Sequence, residues 1–158
     1  MKKALIVLAL VVLALVPVMA KSATAIGGEA GYPASGVTIN FDLKDNIDGF
    51  ATVGFWYEGG LEALVGGQVK VADIKIDKAK FFVSVGAEAG VMFGFNKSVS
   101  TKVILAATGS FNYNFTVDNK ADFRVYLRLG PGVSFKFNSD GTKIAPDFIG
   151  ALGLVYYL

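Results

Sequence analysis

No cysteine and no histidine occur among the 158 residues. Without cysteine there is no disulfide framework, no thiol nucleophile and no thiolate metal site. Without histidine there is no Ser-His-Asp hydrolysis and no His-dependent acyl transfer. Serines and carboxylates remain, but no nucleophile sits in a recognisable elbow. Gly27-Gly28-Glu29-Ala30-Gly31 is glycine-rich without leading into a helix, which argues against a phosphate cradle. Asp45, Asp48 and Asp140 fall at turn positions and read as turn formers rather than calcium ligands. No catalytic residue, no metal and no cofactor is expected, and the chain is not expected to be an enzyme.

An excess of charge is missing too. Met1-Lys2-Lys3 is followed by an apolar run over 4–16, a break at Pro17, and small residues at Val18-Met19-Ala20. That order is the n-region, h-region and cleavage site of a signal peptide. The expectation is a leader over 1–20, with Ala23-Thr24-Ala25 as an alternative cut after residue 25, and one domain over 21–158. An uncleaved anchor competes, although the run is marginal for the roughly 20 residues of a helical span. A lipid-anchored start would need a cysteine at the cut. Loss of Lys2 and Lys3 lowers the 15 basic residues to 13, equal to the 13 acidic ones. No basic patch then argues for nucleic acid or a polybasic membrane surface.

After Ala20 no apolar run approaches the ~18 residues of a second helical span. The 19 glycines would weaken any helix they fell inside, which argues against a helical bundle.

What the chain does have is alternation. Odd positions give Phe81, Val83, Val85, Ala87, Ala89, Val91, Phe93 and Phe95, and again Phe123, Val125, Leu127, Leu129, Pro131, Val133, Phe135 and Phe137. Even positions between them give Ser84, Gly86, Glu88, Gly90 and Gly94, then Arg124, Tyr126, Arg128, Gly130, Gly132, Ser134 and Lys136. Successive strand side chains point to opposite faces, so each stretch has one apolar face and one small, polar or charged face. About fifteen residues without a parity error exceeds the usual soluble strand of about 5–6. It suits a strand that crosses a membrane at a tilt and projects beyond it.

Turn signals divide the chain into strand segments near 24–32, 37–43, 50–57, 61–76, 79–95, 101–116, 122–137 and 143–158. In the fourth, parity slips between Val71 and Ile74, which predicts a bulge near Ala72-Asp73. Gly130-Pro131-Gly132 predicts a local bulge or kink in the seventh, because proline lacks a ladder donor. Eight antiparallel segments joined by short turns make an up-and-down meander, and closure removes its two unpaired edges. The predicted fold is all-β: an eight-stranded antiparallel up-and-down transmembrane β-barrel after a cleaved signal peptide.

A soluble barrel of lipocalin type would point its apolar face inward, and a membrane barrel inverts that assignment. Two features favour inversion: glycine crowds the polar faces, as a narrow interior requires, and aromatics sit near both ends of the apolar faces. Glu29, Glu62 and Glu88 then face inward with Lys70, Arg124, Arg128 and Lys136. Eight strands leave an interior just wide enough for side chains, where charge is costly unless paired. A carboxylate–guanidinium network is expected, either as a structural plug or lining a narrow ion path.

The last segment places Phe148, Leu152, Leu154, Tyr156 and Leu158 on one face. This resembles the C-terminal signal of outer-membrane barrels, with Leu158 in place of the more usual Phe. Gly27-Gly28-Glu29-Ala30-Gly31-Tyr32-Pro33, Arg128-Leu129-Gly130-Pro131-Gly132-Val133 and the stretch from Gly150 to Tyr157 also resemble an uncharacterised family of small outer-membrane β-barrels. In architecture the mature chain resembles the OmpA/OmpX-type barrels. The resemblance implies the outer membrane of a diderm bacterium, lipid as surroundings, and a barrel assembly machinery that reads the last strand. A monomer is expected.

Three roles fit: a structural or interaction barrel with a polar, largely plugged lumen, a narrow pore for ions or small solutes, and a soluble lipid-binding barrel. Short loops at 32–36, 57–60, 96–100 and 138–142 argue against an adhesin. A filled lumen argues against a general porin.

Overall fold

The computed structural model describes residues 23–77, 79–95, 101–118, 120–138 and 141–158, so the leader expected over 1–20 lies outside it. Eight strands follow in order: β1 (Ala23–Tyr32), β2 (Ala34–Lys44), β3 (Ile47–Trp56), β4 (Gly60–Ile76), β5 (Ala79–Gly94), β6 (Thr101–Val117), β7 (Ala121–Asn138) and β8 (Gly141–Tyr157). Each pairs antiparallel with the next, and β8 returns to β1 to close an up-and-down barrel. No helix occurs among the described residues. The alternation therefore produces the expected eight-stranded ring.

Register fixes the barrel's shape. The pairings Glu29↔Gly36↔Gly54↔Glu62↔Met92↔Lys102↔Lys136↔Lys143 run once round the wall. Extending the β8–β1 register puts Lys143 about ten residues beyond Glu29 along the line of β1. That stagger tilts eight strands about 43° from the axis and sets a radius of about 8 Å, room for side chains and little else.

Two irregularities come out differently from expectation. The bulge in β4 lies between Lys70 and Ala72, one residue earlier than the parity slip suggested, and turns Ala72, Ile74 and Ile76 outward. β7 carries no bulge at Pro131, which pairs with Phe148 in regular β7–β8 register. On the β6 side the pairing lapses between Ala106↔Gly132 and Gly109↔Leu129 and resumes unshifted. The missing proline donor thus interrupts one ladder without displacing the strand. β2 and β3 also begin earlier than the turn signals implied, and Pro33 alone separates β1 from β2.

The outward faces are apolar all the way round. They carry Val37 and Ile39 on β2, Val53 and Phe55 on β3, Leu61, Ala63, Val65 and Val69 on β4, and the odd residues of β5, β6 and β7. β8 adds Phe148, Leu152, Leu154 and Tyr156. Among the described outward strand positions the only charge is Lys44, beyond a register shift at the end of β2. Near the end of the barrel that holds Ala23 and Tyr157, Phe81, Phe111, Tyr113, Phe115, Phe123 and Tyr156 form a continuous row with centroids 4.8–5.8 Å apart. Phe55, Tyr57, Phe95, Phe137 and Phe148 are exposed toward the other end.

Candidate functional site

The inward faces hold the buried polar residues, among them Glu29, Thr38, Glu62, Gln68, Ser84, Glu88, Lys102, Asn112, Arg124 and Arg128. Glycine opposite the large inward side chains makes room for them: a Cβ on Gly66 would strike the Phe50 ring, and one on Gly153 would strike Tyr126. The lumen that results has five levels.

At the mouth beside Ala23 and Tyr157 lies a vestibule of about 740 Å³, lined by Asp42, Asp48, Lys70, Asp73, Lys80, Asp122 and Arg124 among others. Arg124 forms its floor. Its Nη1 donates to Asp48 at 2.7 Å and its Nε to Asn114 at 3.2 Å. The guanidinium lies 5.0 Å from the Phe82 ring centre and 5.3 Å from that of Tyr157. Asp48 was expected to be a turn former; the earlier start of β3 turns it into the lumen instead. Lys70 pairs locally with Asp73 at 2.7 Å across the β4 bulge, at the rim.

The second level is a hydrogen-bonded polar layer. Ser110 donates to Gln68 at 2.7 Å, and Asn112 donates to Ser110 at 2.9 Å.

The third level is the Arg128 hub. Its Nη2 donates to both oxygens of Glu29 at 3.1 and 3.0 Å. Its Nε approaches Glu88 Oε2 to 2.8 Å, without hydrogen-bond alignment. The guanidinium lies 4.1 Å from the Phe50 ring centre, and the Tyr126 hydroxyl donates to Glu29. Arg128, Glu29 and Glu88 are each almost wholly buried.

Beyond the hub the filling turns apolar. Trp56, Leu64, Met92, Ile104, Ala106 and Ile149 form one buried cluster inside the barrel. The lumen is therefore not polar throughout, because these residues occupy inward positions between polar ones. Glu62 shares this level, paired across β4–β5 with Met92 and one inward step from Leu64.

The far rim is a second ionic cluster. Lys102 Nζ lies 2.6 Å from Asp147 Oδ2, and Tyr32 donates to Asp147 Oδ1 at 3.0 Å. Tyr32 and Tyr57 rings meet at 5.2 Å, and Lys136 reaches Glu58 at 3.6 Å. The hydrogen bond from Tyr57 to Glu58, a charged acceptor, raises that exposed phenol above its ordinary pKa.

All seven residues expected in the lumen are on inward faces, but they do not form one network. Glu29, Glu88 and Arg128 come together. Arg124 is joined to Asp48, Lys70 to Asp73, and Lys136 to Glu58, while Glu62 has no ionic partner among the described residues. Asp48, Lys102, Asp147 and Trp56 were not among the candidates. Parity alone could have found Lys102, which sits on the polar face of its segment. Phe148, Leu152, Leu154, Tyr156 and Leu158 are exposed, the four within β8 on its outer face.

No protein-family model, no curated protein and no solved structure matches this chain.

Proposed function

We propose that the mature chain is a small outer-membrane β-barrel, of OmpA/OmpX-type architecture, with a structural or interaction role and a closed lumen. The observation that carries this reading is the outer surface. Phe123 to Phe135 on β7 spans about 40 Å of strand at ~3.3 Å per residue, or about 29 Å along the axis at this tilt. Such an uncharged band between aromatic rows matches the ~25 Å apolar belt and girdles of outer-membrane barrels. In water the same surface, with Phe55, Leu129 and Leu152 all exposed, would be an aggregation liability.

On this reading residues 1–20 are the export leader, removed on secretion, and lipid surrounds the barrel. The face of Phe148, Leu152, Leu154, Tyr156 and Leu158 meets the assembly machinery. The Arg128 hub and the apolar layer beyond it fill the lumen, which favours a plug over a pore. No enzymatic role is proposed.

The test is outer-membrane fractionation followed by gel migration with and without boiling. A heat-dependent mobility shift in the outer-membrane fraction is expected, and a soluble protein without a shift overturns the reading. In planar bilayers at neutral pH no steady ohmic current is expected. Steady channels altered by Arg124→Ala or Glu88→Ala would replace the plug with a pore.

A further inference from the structure

The apolar layer contains one group that does not belong there. Glu62 is 2 % exposed, and neither carboxyl oxygen makes a hydrogen bond to any described residue. Its level holds Trp56, Leu64, Met92, Ile104 and Ile149, all buried. Trp56 Nε1 likewise has no hydrogen-bond partner among the described residues. The charged groups facing Glu62 are Glu29 from β1, Glu88 from β5, Lys102 from β6 and Arg128 from β7. Both cations are already held, Lys102 by Asp147 at 2.6 Å and Arg128 by Glu29 and Glu88.

We propose that Glu62 is a proton-binding site that controls whether this layer is wet or dry. With its proton, the carboxylic acid is neutral and the layer stays an apolar seal. When the proton leaves to solvent, a carboxylate remains among hydrocarbon with no cation free to pair it. A buried charge without a partner is tolerated only if water reaches it. Water then enters beside Glu62 and finds the unpartnered Trp56 Nε1 as a donor on the same level. The seal between the Arg128 hub and the Lys102 rim thus wets as pH rises. The proposal depends on the inward placement of Glu62 and not on what surrounds the barrel.

The chain's single tryptophan reports the event directly. In detergent micelles, Trp56 emission and its quenching by acrylamide are followed from acidic to alkaline pH, with circular dichroism monitoring the fold. Wild type is expected to shift to longer wavelength and become several-fold more quenchable as pH rises. Glu62→Gln, close to isosteric, and Glu62→Leu are expected to show neither change. A flat wild-type profile overturns the proposal, as does an equal shift in Glu62→Gln or, should that variant not fold, in Glu62→Leu. Micelles keep this result separate from the membrane assignment, which the fractionation and gel-shift test decides.

Discussion

Replacing Arg128 with methionine is expected to be the most damaging single substitution in the lumen. Arg128 is 3 % exposed, bonded to both oxygens of Glu29 and set 2.8 Å from Glu88. Its removal strands two buried carboxylates, and breaking a buried ion pair from one side costs roughly 3–5 kcal/mol. Loss of the stacking on Phe50 at 4.1 Å adds to this, since a desolvated cation–π contact is worth about 2 kcal/mol. The terms share one side chain and do not add in full, so a loss of about 4 kcal/mol is expected. At about 1.4 kcal/mol per decade, that is a thousandfold fall in the folded-to-unfolded ratio. The assay is urea titration in phospholipid vesicles, read by the heat-dependent gel shift. The triple variant Arg128→Met, Glu29→Gln, Glu88→Gln removes the stranded charges and is expected to recover at least half of the loss. Arg128→Met within about 1 kcal/mol of wild type, or a triple variant weaker than the single, would refute the reasoning.

Leu129→Lys places a charge in the middle of the outer band, where a bilayer imposes a cost of about 2–4 kcal/mol. The same vesicle titration checks this, and an unchanged midpoint would mean that Leu129 faces water. Gly153→Val forces the Tyr126 ring from its seat and is expected to cost ~1–3 kcal/mol, partly restored by Tyr126→Leu, as overpacking predicts. Leu158→Asp is expected to lower outer-membrane yield several-fold while in vitro stability stays within about 0.5 kcal/mol of wild type. Fractionation beside refolding checks it; an equal loss in both would assign Leu158 to the fold instead of to assembly.

Much of the wall was legible before any tertiary contact was known. A strand has a period of two, so parity along Phe81–Phe95 and Phe123–Phe137 assigns each side chain to a face, and turn residues count the strands. Glu29, Glu62, Glu88, Arg124 and Arg128 share the polar face of their segments, and the glycines crowding that face turn it inward. The slip in parity before Ile74 located the β4 bulge to within one residue. At Pro131 the sequence shows that a donor is missing but not which neighbour loses it. In the barrel only the β6 ladder is interrupted, and β8 holds the strand in register.

Parity names a face but not a height, and height decides partners inside a barrel. It depends on the tilt and on the stagger at which β8 meets β1, which are properties of closure and not of any one segment. Only that closure brings Glu29 to Arg128, 99 residues apart, and Asp48 to Arg124, 76 residues apart. It also gathers Trp56, Leu64, Met92, Ile104 and Ile149, one from each of five strands, into a single apolar layer. The alternation and the turn residues determined eight strands, each with one apolar and one small or polar face. The glycines and aromatics on those faces pointed to which one forms the wall. Tertiary structure decided which charges inside are paired, and that Glu62 is not, because partners across a lumen are chosen by a ring that closes only once all eight strands are in register.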